Sequence, residues 1–197
     1  IRRCLVGSEM CIRDRYNKMF IAYMQLFKKI GLKAIPMKAD TGPIGGDLSH
    51  EFIIIADTGE SEVYIEEDFL NYEDNLNNVD YEDDLQKIVD KYTSFYAATD
   101  EKHDPKLFNK DLKGLIKTRG IEVGHIFHFG QKYSEPMKAN INNDEGINIP
   151  VFMGSYGVGL SRLVGAIIEA NHDKAGIIWP YEITPWYYHL INLKNGD

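Results

Sequence analysis

At 197 residues, 44% hydrophobic and 26% charged, the chain has the bulk composition of a globular protein with room for one sizeable core. Its net charge of −8 argues against broad, non-specific wrapping of nucleic acid, and no apolar run approaches the ~20 residues of a membrane span. Both cysteines, Cys4 and Cys11, lie near the start, so the body from Tyr16 onward can form no disulfide and no thiolate metal site, which fits a reducing compartment.

The string from Cys4 to Arg15, CLVGSEMCIRDR, resembles the translation of a sequencing-library adapter. Residues 1–15 are therefore expected to be a scar or a disordered tail outside the fold. Tyr16, Met19, Phe20, Tyr23, Met24, Phe27 and Ile30 then recur at helical spacing, and Gly31 is placed to cap that helix. Leu32 to Lys38 reads as a strand. ADTGPIGGDLSHEF follows, and its glycines suit either a long hairpin connection or a loop that brings backbone close to a ligand. His50 and Glu51 lead into the buried-strand run Phe52–Ala56; no histidine comes four residues after His50, so this is no zinc motif. Gly59 turns the chain into a second strand, Glu62 to Ile65.

Glu60 to Asp84 holds eleven acidic residues and no basic one, without the alternating carboxylates and central glycine of a calcium loop. A helix is predicted from Asp80, capped by that residue, with Leu85, Ile88, Val89, Tyr92 and Phe95 on its apolar face. Asp100 to Lys117 is polar and reads as irregular. GIEVGHIFHF, Gly120 to Phe129, is a long strand whose alternation would place His125, Phe127 and Phe129 on one face and Glu122, Gly124, Ile126 and His128 on the other. Gly124 would open room beside His125. NNDEG is a hairpin turn.

Val151 to Ala170, VFMGSYGVGLSRLVGAIIEA, has the strongest chemical character. A glycine loop (Gly154, Gly157, Gly159) precedes a helix with Leu160, Leu163, Val164, Ile167 and Ile168 on its apolar face and Arg162 in its first turn, off that face. Exposed backbone N–H groups, a helix N-terminus and a planar guanidinium together suit anion handling. The alternative is a simple strand-to-helix join with a solvated Arg162. Neither a dinucleotide fingerprint nor a Walker loop is present. Trp186 to Leu193 reads as a terminal strand, and LKNGD ends like a cut at a linker. With strands joined by hairpins and no βαβ alternation, the fold class is α+β, an antiparallel sheet with helices on one side.

Three stretches, ADTGPIGGDLSHEF, RGIEVGHIFHFGQKYSEPMKA and GSYGVGLSRLVGAIIEANHDKAGIIWP, occur in the order in which they stand in bacterial-type prolyl-tRNA synthetases, and from Tyr16 to Asp197 the chain resembles the catalytic core of that class II family. The resemblance implies a class II antiparallel sheet, ATP and Mg2+, proline and the acceptor end of its tRNA as partners, a homodimeric full-length enzyme, and a cytoplasmic location without membrane association. Arg162 would be the motif 3 arginine on the ATP γ-phosphate. Glu122, His125, Gly157 and Gly159 would border the ATP, with Glu122 reaching the magnesium, and Phe127 and Ser155 would fall near the proline pocket. By the same resemblance the motif 2 arginine lies before Tyr16 and the anticodon-binding domain after Asp197. The chain is thus expected to be the C-terminal part of a catalytic domain, inactive alone. Many bacterial members insert an editing domain where this sequence has only the acidic and helical interval 67–119. A non-catalytic, synthetase-like binding module is the competing reading; the retained Arg162 and glycines argue against it.

Overall fold

A computed structural model describes residues 9–46, 48–73, 75–106, 114–143 and 145–193, with side chains from residue 12 onward. Cys4 and the expected linker cut at the C-terminus lie outside them. The first helix, α1 (Glu9–Lys29), puts Tyr16, Phe20, Tyr23 and Phe27 into the core and ends at Gly31 with φ 74°. It departs from the expectation of a disordered tail, because Glu9 to Arg15 form its first turns and Ile12 is buried on the same face as Tyr16. Extending an existing helix fixes one residue per hydrogen bond gained, so a preformed, packed α1 propagates backward at little cost.

The main sheet has six strands in the order β2-β1-β4-β3-β5-β8: β1 (Ala34–Lys38), β2 (Leu48–Ile55), β3 (Ser61–Glu66), β4 (Ala97–Thr99), β5 (Leu115–Gly130) and β8 (Met153–Val158). All pairings are antiparallel except β1 with β4, which meet at Lys38 and Ala98. Rich in β-branched and aromatic residues, the 16-residue β5 is the spine. It pairs with β3 over 115–120, with β2 over 120–128 and with β8 over 124–130. Two small hairpins, β6 (Asn140–Asn142) with β7 (Asn148–Pro150) and β9 (His172–Asp173) with β10 (Gly176–Ile177), stand apart; within the predicted turn of the first, Gly146 N–H donates to Asn143 O at 2.9 Å.

Between β3 and β4, the short helix α2 (Glu67–Asn71) brings Phe69 and α3 (Gln86–Thr93) brings Val89 and Tyr92 into the same core as α1 and the sheet, joined by Leu76 and Leu85 from outside the helices. α3 starts later than predicted. Asp80 and Asp84 accept bonds from the backbone N–H groups two residues on, at 2.9 and 3.1 Å, and so form turns before the helix. A four-residue helix, α4 (Ser134–Met137), follows β5. α5 (Leu160–Ala170) buries Ala166 and Ile167, whereas Leu160 is 73% exposed, so its buried stripe is rotated from the predicted one. Trp186 to Leu193 forms no strand; this stretch finds no partner strand among the described residues and carries exposed Trp186, Tyr188, Leu190 and Leu193. No described helix is long and apolar enough to cross a membrane.

Candidate active site

The register of β5 between its two neighbours builds the site. His125 stands opposite Glu51 on β2 and Gly157 on β8; two residues on, Phe127 stands opposite Ser49 and Ser155. Directly opposed residues in an antiparallel pair share a face. The expected nucleotide-side pair, His125 and Gly157, and the expected amino-acid-side pair, Phe127 and Ser155, therefore form adjacent rungs. Their aromatic rings continue the row: His125 stacks on Phe127 with centroids 3.8 Å apart, Phe127 on Phe129 at 5.4 Å, and Phe129 meets Tyr133 edge-on at 5.0 Å.

Glu122 was expected on the face opposite His125, and the structure corrects this. The β2–β5 register slips between Phe52 and Ile53, leaving Val123 as an extra residue on β5. Such a bulge reverses the alternation locally. Glu122 thereby joins the face of His125, its Oε1 3.2 Å from His125 Nδ1, while Glu51 Oε1 lies 3.8 Å from the same nitrogen. One ligating atom from each of Glu51, Glu122 and His125 falls within 4.8 Å of the others. His125 Nε2 is buried and has no hydrogen-bond partner among the described residues.

The two carboxyls titrate apart. The bond to His125 holds Glu122 below the usual carboxylate range against the opposing effect of burial, helped by the His125 and Arg162 charges. Burial, and then repulsion from Glu122, pushes Glu51 up to about 7. Near neutral pH Glu51 therefore keeps a proton part of the time, and the cluster carries less negative charge than its carboxyl count suggests.

Arg162, in the first turn of α5, reaches over this cluster. Its Nη1 lies 3.0 Å from Glu60 Oε1, 3.2 Å from the Glu122 carbonyl oxygen and 3.5 Å from Glu122 Oε2. An open cavity of about 300 Å3 is lined by Glu122, His125, Gly157, Gly159 and Arg162 together with Val123, Gly124 and Val158. The glycines act differently from the expected N–H-lined loop. Gly154 and Gly157 belong to β8, and the Gly159 N–H donates to Val123 O at 3.0 Å. The room beside His125 comes from Gly157, where a Cβ would meet nothing within 4 Å; Gly124 instead faces Tyr23 of α1, 3.3 Å from where its Cβ would stand.

Local pattern does not single out Glu51, which follows His50 in a stretch without zinc-motif spacing, or Glu60, the first of the eleven acidic residues between 60 and 84. Each becomes a candidate only through pairing across space, although Glu51 lying one residue beyond His50 on a buried strand was a legible warning that its carboxyl would be desolvated.

Residues 3–171 match the class II core domain of the tRNA synthetases for G, H, P, S and T. The chain is 56% identical over 192 residues to the proline–tRNA ligase of Rhodopseudomonas palustris strain TIE-1, covering 96% of this chain and 44% of that protein. It is 59% identical over 185 residues to the proline–tRNA ligase of Rhodospirillum rubrum (94% and 42%), and 58% over 188 residues to that of Methylobacterium radiotolerans (94% and 43%). The chain thus spans less than half the length of these relatives. The β5-centred antiparallel sheet, the Arg162-bearing helix beside it and the match over most of the length agree: the chain belongs to the class II tRNA synthetase core-domain family of the G, H, P, S and T enzymes.

Proposed function

We propose that the full-length protein to which this chain belongs is a proline–tRNA ligase, and that the Glu122–His125–Arg162 cavity is its ATP site. The observation that carries the reading is the pair of adjacent rungs: His125 and Gly157 beside Arg162, then Phe127 and Ser155. A nucleotide phosphate chain held at the first rung lies next to an amino acid held at the second. The proline carboxylate oxygen then bonds to the α-phosphorus as the bond to pyrophosphate breaks. The terminal ribose hydroxyl of the tRNA next takes the prolyl group and AMP leaves. No protein nucleophile is needed, so positioning and charge stabilisation do the catalysis.

Arg162 supplies paired N–H donors to phosphate oxygens; its contacts among the described residues, to Glu60 and Glu122, fall on Nη1. His125, fixed through Nδ1 by Glu122, stacks on Phe127 and separates nucleotide from amino acid. Phe127 offers an apolar wall and Ser155 a hydroxyl to the amino-acid end. The residues present fit a hard divalent cation, since Glu122 and Glu51 offer two carboxylate oxygens close together. Mg2+ held by these residues would supply charge neutralisation for the phosphates. A homodimer in the cytoplasm, with the tRNA acceptor end as partner, completes the reading.

The test is proline-dependent ATP–pyrophosphate exchange by the full-length protein, because the motif 2 arginine is expected outside this chain. Exchange with proline, and little with other amino acids, is expected. A folded, ATP-binding full-length protein without it would overturn the reading in favour of a non-catalytic module.

A further inference from the structure

The turn between β2 and β3 is built more firmly than its exposure requires. Ala56 N–H donates to Arg119 O at 3.1 Å and Gly59 N–H to Ala56 O at 2.9 Å. Arg119 then spans the turn, with Nε donating to Gly59 O at 2.6 Å and Nη2 to Glu60 O at 3.2 Å. Gly59 lies directly on Gly120 of β5: a Cβ on Gly59 would stand 2.3 Å from the Gly120 carbonyl, and one on Gly120 would stand 2.2 Å from Ile53 Cγ2. Backbone lies against backbone there, and no side chain can be interposed. From this mount two side chains reach α5. Thr58 Oγ1 donates to Glu169 Oε2 at 2.7 Å near the helix end, and Glu60 Oε1 receives Arg162 Nη1 at 3.0 Å near its start.

The Arg162 contacts are lopsided. All three fall on Nη1, which Glu60 holds from one strand connection and Glu122 from β5. A guanidinium gripped at one nitrogen is oriented yet still presents its remaining N–H edge. We propose that Glu60 is a positioning residue for Arg162, with the Gly59–Gly120–Arg119 mount fixing where that carboxylate stands, so that Arg162 is aimed at the nucleotide phosphates before they arrive. Prepaid orientation of this kind lowers the cost of binding without adding a contact to the ligand. The proposal rests on the ATP-site reading above.

The experiment uses the full-length protein and two readouts: calorimetric binding of ATP alone, and ATP–pyrophosphate exchange with ATP and proline varied separately. Glu60→Ala should weaken ATP binding and raise the KM for ATP by roughly two- to fivefold, the scale of losing one half-exposed ion pair that orients a donor. The KM for proline and the Tm should stay as in the parent. Glu60→Gln, which keeps the acceptor but not the charge, should recover part of the loss. Thr58→Val removes the other tie to α5 and should leave ATP binding unchanged. ATP binding by Glu60→Ala equal to or tighter than the parent's would overturn the proposal, the tighter case making Glu60 a competitor of phosphate. So would an equal effect of Thr58→Val, or a joint fall in Tm and rise in both KM values, since either would reduce the turn to a clamp on α5. Absence of proline-dependent exchange in the parent would sink the functional reading alone, because ATP binding still decides the role of Glu60.

Discussion

Arg162 is half exposed and commits a single nitrogen to the protein, so its loss should cost activity far more than stability. In the full-length protein, Arg162→Ala should lower prolyl-adenylate formation by ~10²-fold or more, the scale of removing one preorganised donor to developing charge. The Tm should move little, because exposed ion pairs contribute at most about 1 kcal/mol. Arg162→Lys should recover only part, since an ammonium cannot reproduce the planar fork. Parallel losses of rate and Tm in Arg162→Ala would make the arginine a structural residue. Its place was legible in the sequence because helical spacing set it off the apolar stripe. The side on which Glu122 stands was not, because a strict two-residue period cannot anticipate the extra Val123 that brings Glu122 round to His125.

At the scale of elements, β2 carries two neighbours, His50 and Glu51, whose titrations oppose each other. His50 is buried, its Nδ1 2.6 Å from the Tyr16 hydroxyl and its ring edge-on to Phe20 of α1. Burial, then the charges of Lys38 on β1 and His125 on β5, brings its pKa down to about 4. Between about 4 and 6.5 the unfolded chain binds a proton there that the folded chain refuses, so stability falls as pH falls through that window, by about 3 kcal/mol in full. Glu51 acts in the other sense: raised to about 7, it holds a proton that the unfolded chain releases above 4.5, and stability falls as pH rises between those values. Glu51→Gln should therefore gain stability over the parent progressively from pH 4.5 to 7 and show the His50 dependence more steeply. Urea unfolding at half-unit pH steps measures this; a parent-to-variant difference that does not change with pH would refute it. Strands β1, β2, β3 and most of β5, and α1 from Tyr16 onward, were readable from periodicity; the strand expected at Trp186 to Leu193 was not there, because an apolar run needs a partner strand that local pattern does not supply. The late start of α3 was not, because Asp80 and Asp84 prefer to bond their own backbone.

For the whole molecule, one core serves the interval 67–119 as well as the sheet, since Phe69, Leu76, Leu85, Val89 and Tyr92 all join it. A separate core of ~60 residues is already marginal. An interval that lends its apolar residues to the main core has little left for a hydrolytic pocket of its own, and its acidic run would repel a tRNA end. Alanine differs from proline by little apolar volume, worth on the order of 10–200-fold in discrimination per methylene. The full-length protein is therefore expected to form alanyl-tRNA for proline and to leave it intact. Deacylation of preformed alanyl-tRNA well above the no-enzyme rate, abolished by changes within 67–119, would contradict this. The class of the fold was legible because three long segments keep their order. The closing of β2 and β3 along one long β5 depends on pairings far apart in sequence, which no local pattern records.

The exposed stretch at the end of the chain has an optical consequence. Trp186 lies in it, 80% exposed, the other tryptophan, Trp179, lies seven residues before it, 43% exposed, and neither belongs to the core. Intrinsic indole fluorescence of this polypeptide should thus be red-shifted in the native state and should barely change as denaturant unfolds the sheet, while far-UV circular dichroism reports a full cooperative transition. A blue-shifted native emission would show that this stretch is covered in solution, and the same two indoles would then serve as a built-in probe of whatever covers it.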